Sequence, residues 1–332
     1  MAQSSGSRCR HARQSLSCCA ADSRDVYSPD DPVKRPCPCQ HPILMLARFL
    51  LLFTVIVWGW TFVATKICLA YMTPLELMGL RIMIALPVLL TVLLVKRVRL
   101  RFGDQKKSLW LGSAIITAHF LIQITGIKYT SATNTGWIIS VTPLVMALLA
   151  VVILKERITR KAVAGIVVAT IGILLLVSKG EVRGLGWLSS GGDWLVLASA
   201  HTWAFYTVAT RRVSQNHNPL AVTFAVLAPA AVLAFGIMLF TSDWSKFLHL
   251  PPDAMVALLF LGLFGMALGH WFWQEGVARV GAVQAGMYLY IEPVATTTLA
   301  VPYLNESFGL YTAAGGCLVL LGVWLAQGRV RH

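Results

Sequence analysis

Charge is what this sequence lacks. Charged residues fill 13% of its 332 positions, against roughly 25% in a soluble globular domain, while hydrophobic residues reach 57%. That balance excludes an ordinary soluble domain and predicts an all-α integral membrane protein, since backbone in hydrocarbon must satisfy its own hydrogen bonds. Acids are scarcest, 14 Asp and Glu against 28 Lys and Arg, for a net charge of +14. In a soluble chain such a surplus would suggest nucleic acid. Here the cations sit in short clusters between apolar runs and read as topology signals, so no nucleic-acid partner is expected. Five of the seven cysteines, Cys9, Cys18, Cys19, Cys37 and Cys39, crowd into the first forty residues. They lack the C-x2-C pairing of a zinc module, and neither a metal nor a cofactor is expected. Also missing are H-E-x-x-H, G-x-S-x-G and a P-loop, and with them any convergent constellation for an enzyme.

Long apolar runs are what the chain has. Residues 1–42 are polar, rich in Ser, Pro, Arg and Cys, and hold too little apolar surface to offset the entropy of ordering. They are expected to be a disordered tail, with Met45, at the head of MLARFLLLFTVIV, as the true start. Beyond it, ten runs of membrane-spanning length lie near 46–70, 74–95, 108–127, 130–154, 162–178, 193–212, 218–241, 254–276, 280–304 and 308–327. Lys96, Arg97, Arg99, Arg101, Lys106 and Lys107 separate the second and third, and Lys155, Arg157, Arg160 and Lys161 the fourth and fifth. Arg211 and Arg212 follow the sixth, and Arg329 and Arg331 the tenth. Alternate loops are poor in cations, which predicts that both termini are cytoplasmic.

The chain is also a duplication, and internal periodicity decides fold class. Pro293, Glu306, Gly276, Gly286, Gly315 and Gly322 lie 150 residues after Pro143, Glu156, Gly126, Gly136, Gly165 and Gly172. Trp203, Arg211, Pro219 and Leu220 lie 145 after Trp58, Lys66, Pro74 and Leu75. The first repeat occupies 43–178 and the second 193–327, with a Gly-rich linker at 179–192 and a short basic tail at 328–332. Five helices per repeat is an odd number, so the second copy enters the membrane inverted. The expected fold is therefore ten transmembrane helices as two inverted five-helix repeats, a transporter architecture with its site near the midplane where the repeats meet.

The segments WGWTFVATK, PLELMGLRIMIA, GIKYTSATNTGWIISVTPL and LKERIT resemble the EamA-type repeat of the drug/metabolite transporter superfamily. WAFYTVATRR, GVARVGAVQAGMYLYIEPV and LNESF are similar to its second copy, and the resemblance covers about residues 46–327. It implies small-molecule transport, often export, and names no substrate; the residues fit amino acids, cationic amphiphiles or neutral metabolites alike, and a secondary, non-ATP exporter of amino acids or related small organic compounds is the expected function. Protons and membrane lipids are the other expected partners, and a bacterial inner membrane the expected location. A lipid or prenyl-phosphate flippase on the same fold is the alternative reading, a membrane-embedded enzyme the remoter one.

Candidate site residues follow from polarity at depth. Gln284, Tyr288 and Glu292 are spaced i, i+4, i+8 and stack on one helix face, opposite Asn134, Ile138 and Thr142 of the first repeat. Only Glu292 is acidic. Hydrocarbon penalises its charged form, which suits proton coupling or a cationic substrate; a hydrogen bond to Arg279, His270 or a tyrosine is the structural alternative. His119 with Gln123, and His270 with Gln274, are two i, i+4 pairs open to substrate binding or to helix–helix hydrogen bonding. Trp58 and Trp60 on the first helix, and Trp203 and Tyr206 on the sixth, lie well inside their spans and suit pocket walls, with plain packing the favoured account for any single one. Arg81 is open to pairing with a carboxylate, Glu76 being five residues away, or to binding an anionic group, with the structural pair favoured. Glu156 and Glu306 read as helix caps. Pro143 and Pro293 release a backbone carbonyl and favour a bend where gating motion concentrates.

Overall fold

The computed structural model describes residues 40–154, 159–178, 191–304 and 310–326. Glu156 and Glu306 lie outside them, as do nearly all of the N-terminal tail and most of the Gly-rich linker. Every regular element among the described residues is helical. The first half holds α1 (Gln40–Leu69), α2 (Pro74–Val95), α3 (Lys106–Tyr129), α4 (Ala132–Ile139), α5 (Thr142–Leu154) and α6 (Arg160–Ser178). The second holds α7 (Gly191–Asn216), α8 (Pro219–Thr241), α9 (Pro252–Phe260), α10 (Gly269–Val280), α11 (Ala282–Tyr288), α12 (Glu292–Leu304) and α13 (Leu310–Ala326). Ala47–Val330 forms one compact unit; of the other, only Gln40–Leu46, the opening of α1, is described.

Local chemistry sets the boundaries. Thr73 and Glu76 close a capping box at the head of α2, the Glu76 carboxylate accepting from the Thr73 N–H at 2.8 Å and the Thr73 hydroxyl from the Glu76 N–H at 3.3 Å. Pro74 follows the cap, where its missing N–H costs nothing. The same punctuation opens α8, where Asn218 caps Leu220 and Pro219 comes first.

Six of these segments are long and apolar enough to cross a membrane, at Pro42–Leu69, Pro74–Val95, Gly103–Tyr129, Ala132–Leu149, Pro219–Thr241 and Pro252–Val280. The other four predicted runs are helical over most of their described residues, but fall short of that mark. Asp193, His201, Arg211 and Arg212 dilute α7, a non-α turn divides α11 from α12, and α6 is a shorter apolar helix. Large apolar side chains face outward, among them Phe240, Val232 and Leu94, while Thr207, Ser199, His119 and Glu292 are buried. An apolar exterior around a partly polar interior suits a surface that meets lipid.

Contacts between turns sort the helix ends. Lys246, in the α8–α9 link, pairs with Glu76 at 2.7 Å. Lys66 near the end of α1 donates to the Lys128 carbonyl near the end of α3 at 3.4 Å, and Thr130 just after α3 donates to Asp193 at the start of α7 at 2.5 Å. These groups therefore share one end of the bundle. Phe102 and His217, from the α2–α3 and α7–α8 links, meet at the other with ring centroids 5.3 Å apart.

Two pairs of glycines make reciprocal contacts. A Cβ on Gly126 would lie 2.9 Å from Val196, and one on Gly276 would lie 2.3 Å from Leu51. A Cβ on Gly136 would meet Thr296, and one on Gly286 would meet Met146. In both cases the second contact repeats the first with the halves exchanged.

Candidate functional site

Prolines break two helices in the middle of the bundle. Pro143 and Pro293 have no N–H to offer Ile139 and Leu289, and their rings crowd those carbonyls. The first break ends α4 at Ile139 and restarts the chain as α5 at Thr142; the second inserts a 3-10 turn, Leu289–Ile291, before α12. A third irregularity is the π-helical stretch Leu261–Leu268 between α9 and α10. Such stretches collect at functional sites, and all three lie beside one cavity.

That cavity is tight in this conformation, with a volume of about 50 Å³, well below the roughly 300–1,000 Å³ of small-molecule sites. Of the residues singled out by sequence, Trp58, Arg81, His119, Gln123, Thr142, Trp203, His270 and Glu292 line it. Its aromatic wall is continuous. Trp58 and Trp203 meet edge to face at 4.9 Å, and His270 lies 5.2 Å from Trp58 and 5.6 Å from Trp203. Phe120 lies 5.3 Å from His119 and 5.4 Å from His270. The Trp58 indole donates to the Gly265 carbonyl in the π stretch at 2.9 Å, fixing its ring. Phe120 and Gly265 escaped the sequence reading, since neither is polar; their only signal was proximity to His119 and His270.

Both histidines are fixed through Nδ1. His119 Nδ1 lies 3.0 Å from the Ser199 carbonyl, and His270 Nδ1 3.2 Å from the carbonyls of Gly265 and Met266. A carbonyl only accepts, so Nδ1 carries the hydrogen and a neutral ring presents Nε2 as an acceptor. Among the described residues, His270 Nε2 has no partner, nor do Thr142 Oγ1, Trp203 Nε1 and Arg81 Nε.

Two expectations are corrected at Arg81 and at the α11–α12 stripe. Glu76 pairs with Lys246, and Arg81 has no carboxylate partner among the described residues. Its guanidinium lies over the Phe120 ring, 4.4 Å from the centroid. Gln284 and Tyr288 do not line the cavity with Glu292. The 3-10 turn advances each residue by about 120° instead of 100° and rotates Glu292 off their face. Asn134 is likewise absent from the lining and donates to Asp193 at 2.9 Å.

Other polar candidates are committed elsewhere. Gln274 donates to Tyr206 at 2.8 Å and Thr210 at 3.2 Å, and accepts from Ser214 at 2.6 Å. This satisfied network ties α10 to α7 and takes both Gln274 and Tyr206 out of the cavity. Trp60 donates to Thr298 at 3.2 Å. Glu292 is 2% exposed and receives no hydrogen bond or ion pair on its carboxylate from the described residues. Its backbone is held firmly. A Cβ on Gly59 would lie 2.6 Å from the Glu292 carbonyl oxygen, which Thr296 also engages at 2.8 Å while reaching the Gly59 carbonyl at 3.0 Å.

Known proteins resemble this chain along nearly its whole described length. The EamA-like transporter family matches residues 45–178 and again 190–327. A Bacillus subtilis protein, the uncharacterized transporter YyaM, is 31% identical over 82% of this chain and 90% of its own. A probable amino-acid metabolite efflux pump of Salmonella typhimurium is 27% identical over 83% of this chain and 93% of its own. A probable terminal-alkyne amino-acid exporter of Streptantibioticus cattleyicolor is 29% identical over 86% and 95%. One crystal structure, 20% identical, shares the fold with a TM-score of 0.69 over 85% of this chain and 96% of the other. The chain belongs to the EamA-like transporter family of the drug/metabolite transporter type.

Proposed function

We propose that this chain is a secondary carrier that exports amino acids or related small organic compounds by alternating access. The observation that carries the reading is the cavity itself, where buried polar atoms without partners among the described residues stand among aromatic rings. Unpaired polar atoms are costly in a protein interior, and a solute or water that completes them makes their retention intelligible. The exporter names of two relatives favour amino acids and outward transport.

The chain crosses the membrane ten times, as two inverted five-helix repeats. The reciprocal glycine contacts support this, because a twofold axis in the membrane plane exchanges the halves and repeats each contact once. So does the meeting of Trp58 with Trp203, equivalent positions of the two repeats that would face each other only near such an axis. Its location is a bacterial inner membrane, with both termini and the 96–107 loop in the cytoplasm, as the cation distribution requires. Cysteines at positions 104 and 243 test the topology. Asp104→Cys is expected to react with impermeant maleimide only from the cytoplasmic face, and Asp243→Cys only from outside; labelling of both from one face excludes it.

Pro143 and Pro293 are the bending points, and the Thr130–Asn134–Asp193 cluster closes the outer end in this conformation. Glu292 couples substrate export to proton entry. Cells producing the chain are expected to release at least one small organic solute in excess of vector controls, and everted vesicles to take that solute up saturably. Uptake that never saturates, or no released solute, defeats the carrier reading.

A further inference from the structure

The two ends of the bundle differ at equivalent positions. At the outer end α7 reads Gly192-Asp193 near its start. Gly192 lets that backbone press against α3, since a Cβ there would lie 2.8 Å from the Gly126 carbonyl oxygen and 2.8 Å from the Tyr129 carbonyl carbon. Asp193 is 2% exposed and accepts from the Thr130 hydroxyl and the Asn134 amide. At the offsets that relate the repeats, the counterparts of Gly192, Asp193 and Asn134 are Ala47 and Arg48 on α1 and Gln284 on α11. Here nothing is latched. Arg48 is exposed, Gln284 is half-buried, and neither makes a hydrogen bond or ion pair with a described residue.

The replacements match one another in length and polarity. Ala47 already carries the Cβ that the outer approach forbids, so that approach cannot be repeated at the inner end. The reach there is longer to suit, with arginine in place of aspartate and Gln284 one methylene longer than Asn134. Asp193 accepts, whereas a guanidinium only donates, and an amide side chain serves either partner. Arg48 lies close enough to α11 for its charge to act on Tyr288, one turn beyond Gln284. An arginine kept only as a topology signal would account for the charge but not for the matched change at position 284.

We infer that Arg48 and Gln284 are the inner latch: when the Asp193–Asn134 contact opens, the Arg48 guanidinium donates to the Gln284 side-chain carbonyl and closes the cytoplasmic end. The inference rests on the inverted-repeat carrier reading and names the residues of its second closed state. A twofold operation that exchanges the halves turns the sealed end into the open one, so the two latches are alternatives. The inner helix is the freer to move. Ser131 caps α4 by accepting from the Asn134 N–H at 3.0 Å, whereas α11 starts at Gly281 with no side-chain cap.

The test uses Ile139→Cys, at a position that lines the cavity behind the outer latch. Its reaction with an impermeant maleimide is followed by peptide mass, from outside in intact cells and from the cytoplasmic face in everted vesicles. The readout is the ratio of outside to cytoplasmic rate within one variant. Gln284→Glu makes the Arg48 contact charge-assisted on both sides and is expected to raise the ratio by about tenfold. Adding Arg48→Gln to that chain should cancel the rise. Arg48→Gln alone should lower the ratio below that of the parent, and Asp193→Ala should raise it. A ratio unmoved by Gln284→Glu and by Arg48→Gln overturns the inference, as does a rise in Gln284→Glu that persists when Arg48→Gln is added. If the ratio then still responds to Asp193→Ala, the carrier reading stands without this latch. Labelling confined to one face in every variant would fell both.

Discussion

Glutamine at position 292 is expected to abolish proton-driven accumulation. In everted vesicles the lumen corresponds to the cell exterior, so an acid lumen should drive uptake by exchanging protons for substrate. Glu292→Gln preserves size and hydrogen-bonding reach and removes only the capacity to gain and lose a proton. Stimulation by an acid lumen should therefore fall to a ratio of about one. Exchange of labelled for unlabelled substrate moves no net proton and should persist, weakened by about tenfold or more through loss of a charged partner. The split between these two readouts is what a merely structural glutamate would not produce, since a misplaced helix would depress both together. His119, His270 and Arg81 also line the cavity. Acid stimulation that survives in the variant would remove Glu292 from the coupling step and turn attention to the two histidines.

The rotation between Tyr288 and Glu292 marks how far sequence reasoning reached. Periodicity on a regular helix puts Gln284, Tyr288 and Glu292 in one line. The proline that breaks the helix was visible at Pro293, but its consequence, a phase shift over Leu289–Ile291, depends on how the freed carbonyls are accommodated. Arg81 and Glu76 failed for a simpler reason, since five residues at 100° each place them about 140° apart around a helix. His119, His270, Trp58 and Trp203 were legible because groups with hydrogen-bonding capacity are rarely placed at depth without use. Gln274 satisfied that rule as well, yet it meets Tyr206, Thr210 and Ser214. Which polar group faces a neighbour and which a cavity is decided by packing between distant segments, and one chain read in order does not carry that information.

The two equivalent seams that flank the cavity should respond differently to an added methyl group. One joins α3 to α7 and sets His119 beside Trp203, 5.1 Å apart; the other joins α1 to α10 and sets Trp58 beside His270. At Gly126 an added Cβ would lie 2.9 Å from Val196 Cγ2 and 3.0 Å from both the Gly192 carbonyl and the Val196 amide, so backbone crowds it as well as a side chain. At Gly276 the obstruction is the Leu51 side chain, with its Cγ at 2.3 Å and a Cδ at 2.4 Å. Gly192 lets the α7 backbone approach α3, whereas Ala47 occupies the equivalent position in α1, where Leu51 packs against Gly276. Gly276→Ala is therefore expected to destabilise by about 1–3 kcal/mol through overpacking, read as a lower thermal unfolding midpoint in detergent. Leu51→Ala alone should cost about 2–5 kcal/mol through its cavity. The double variant should be more stable than the sum of the two by roughly 0.5–3 kcal/mol, since each change relieves the other. Gly126→Ala should destabilise comparably, and Val196→Ala should rescue it less than Leu51→Ala rescues Gly276→Ala, because trimming a side chain removes the Cγ2 contact but does not move the backbone carbonyl and amide. Strict additivity at Gly276 and Leu51 would show that α1 does not press against α10 as described, and the position of Trp58 over the cavity would fall with it.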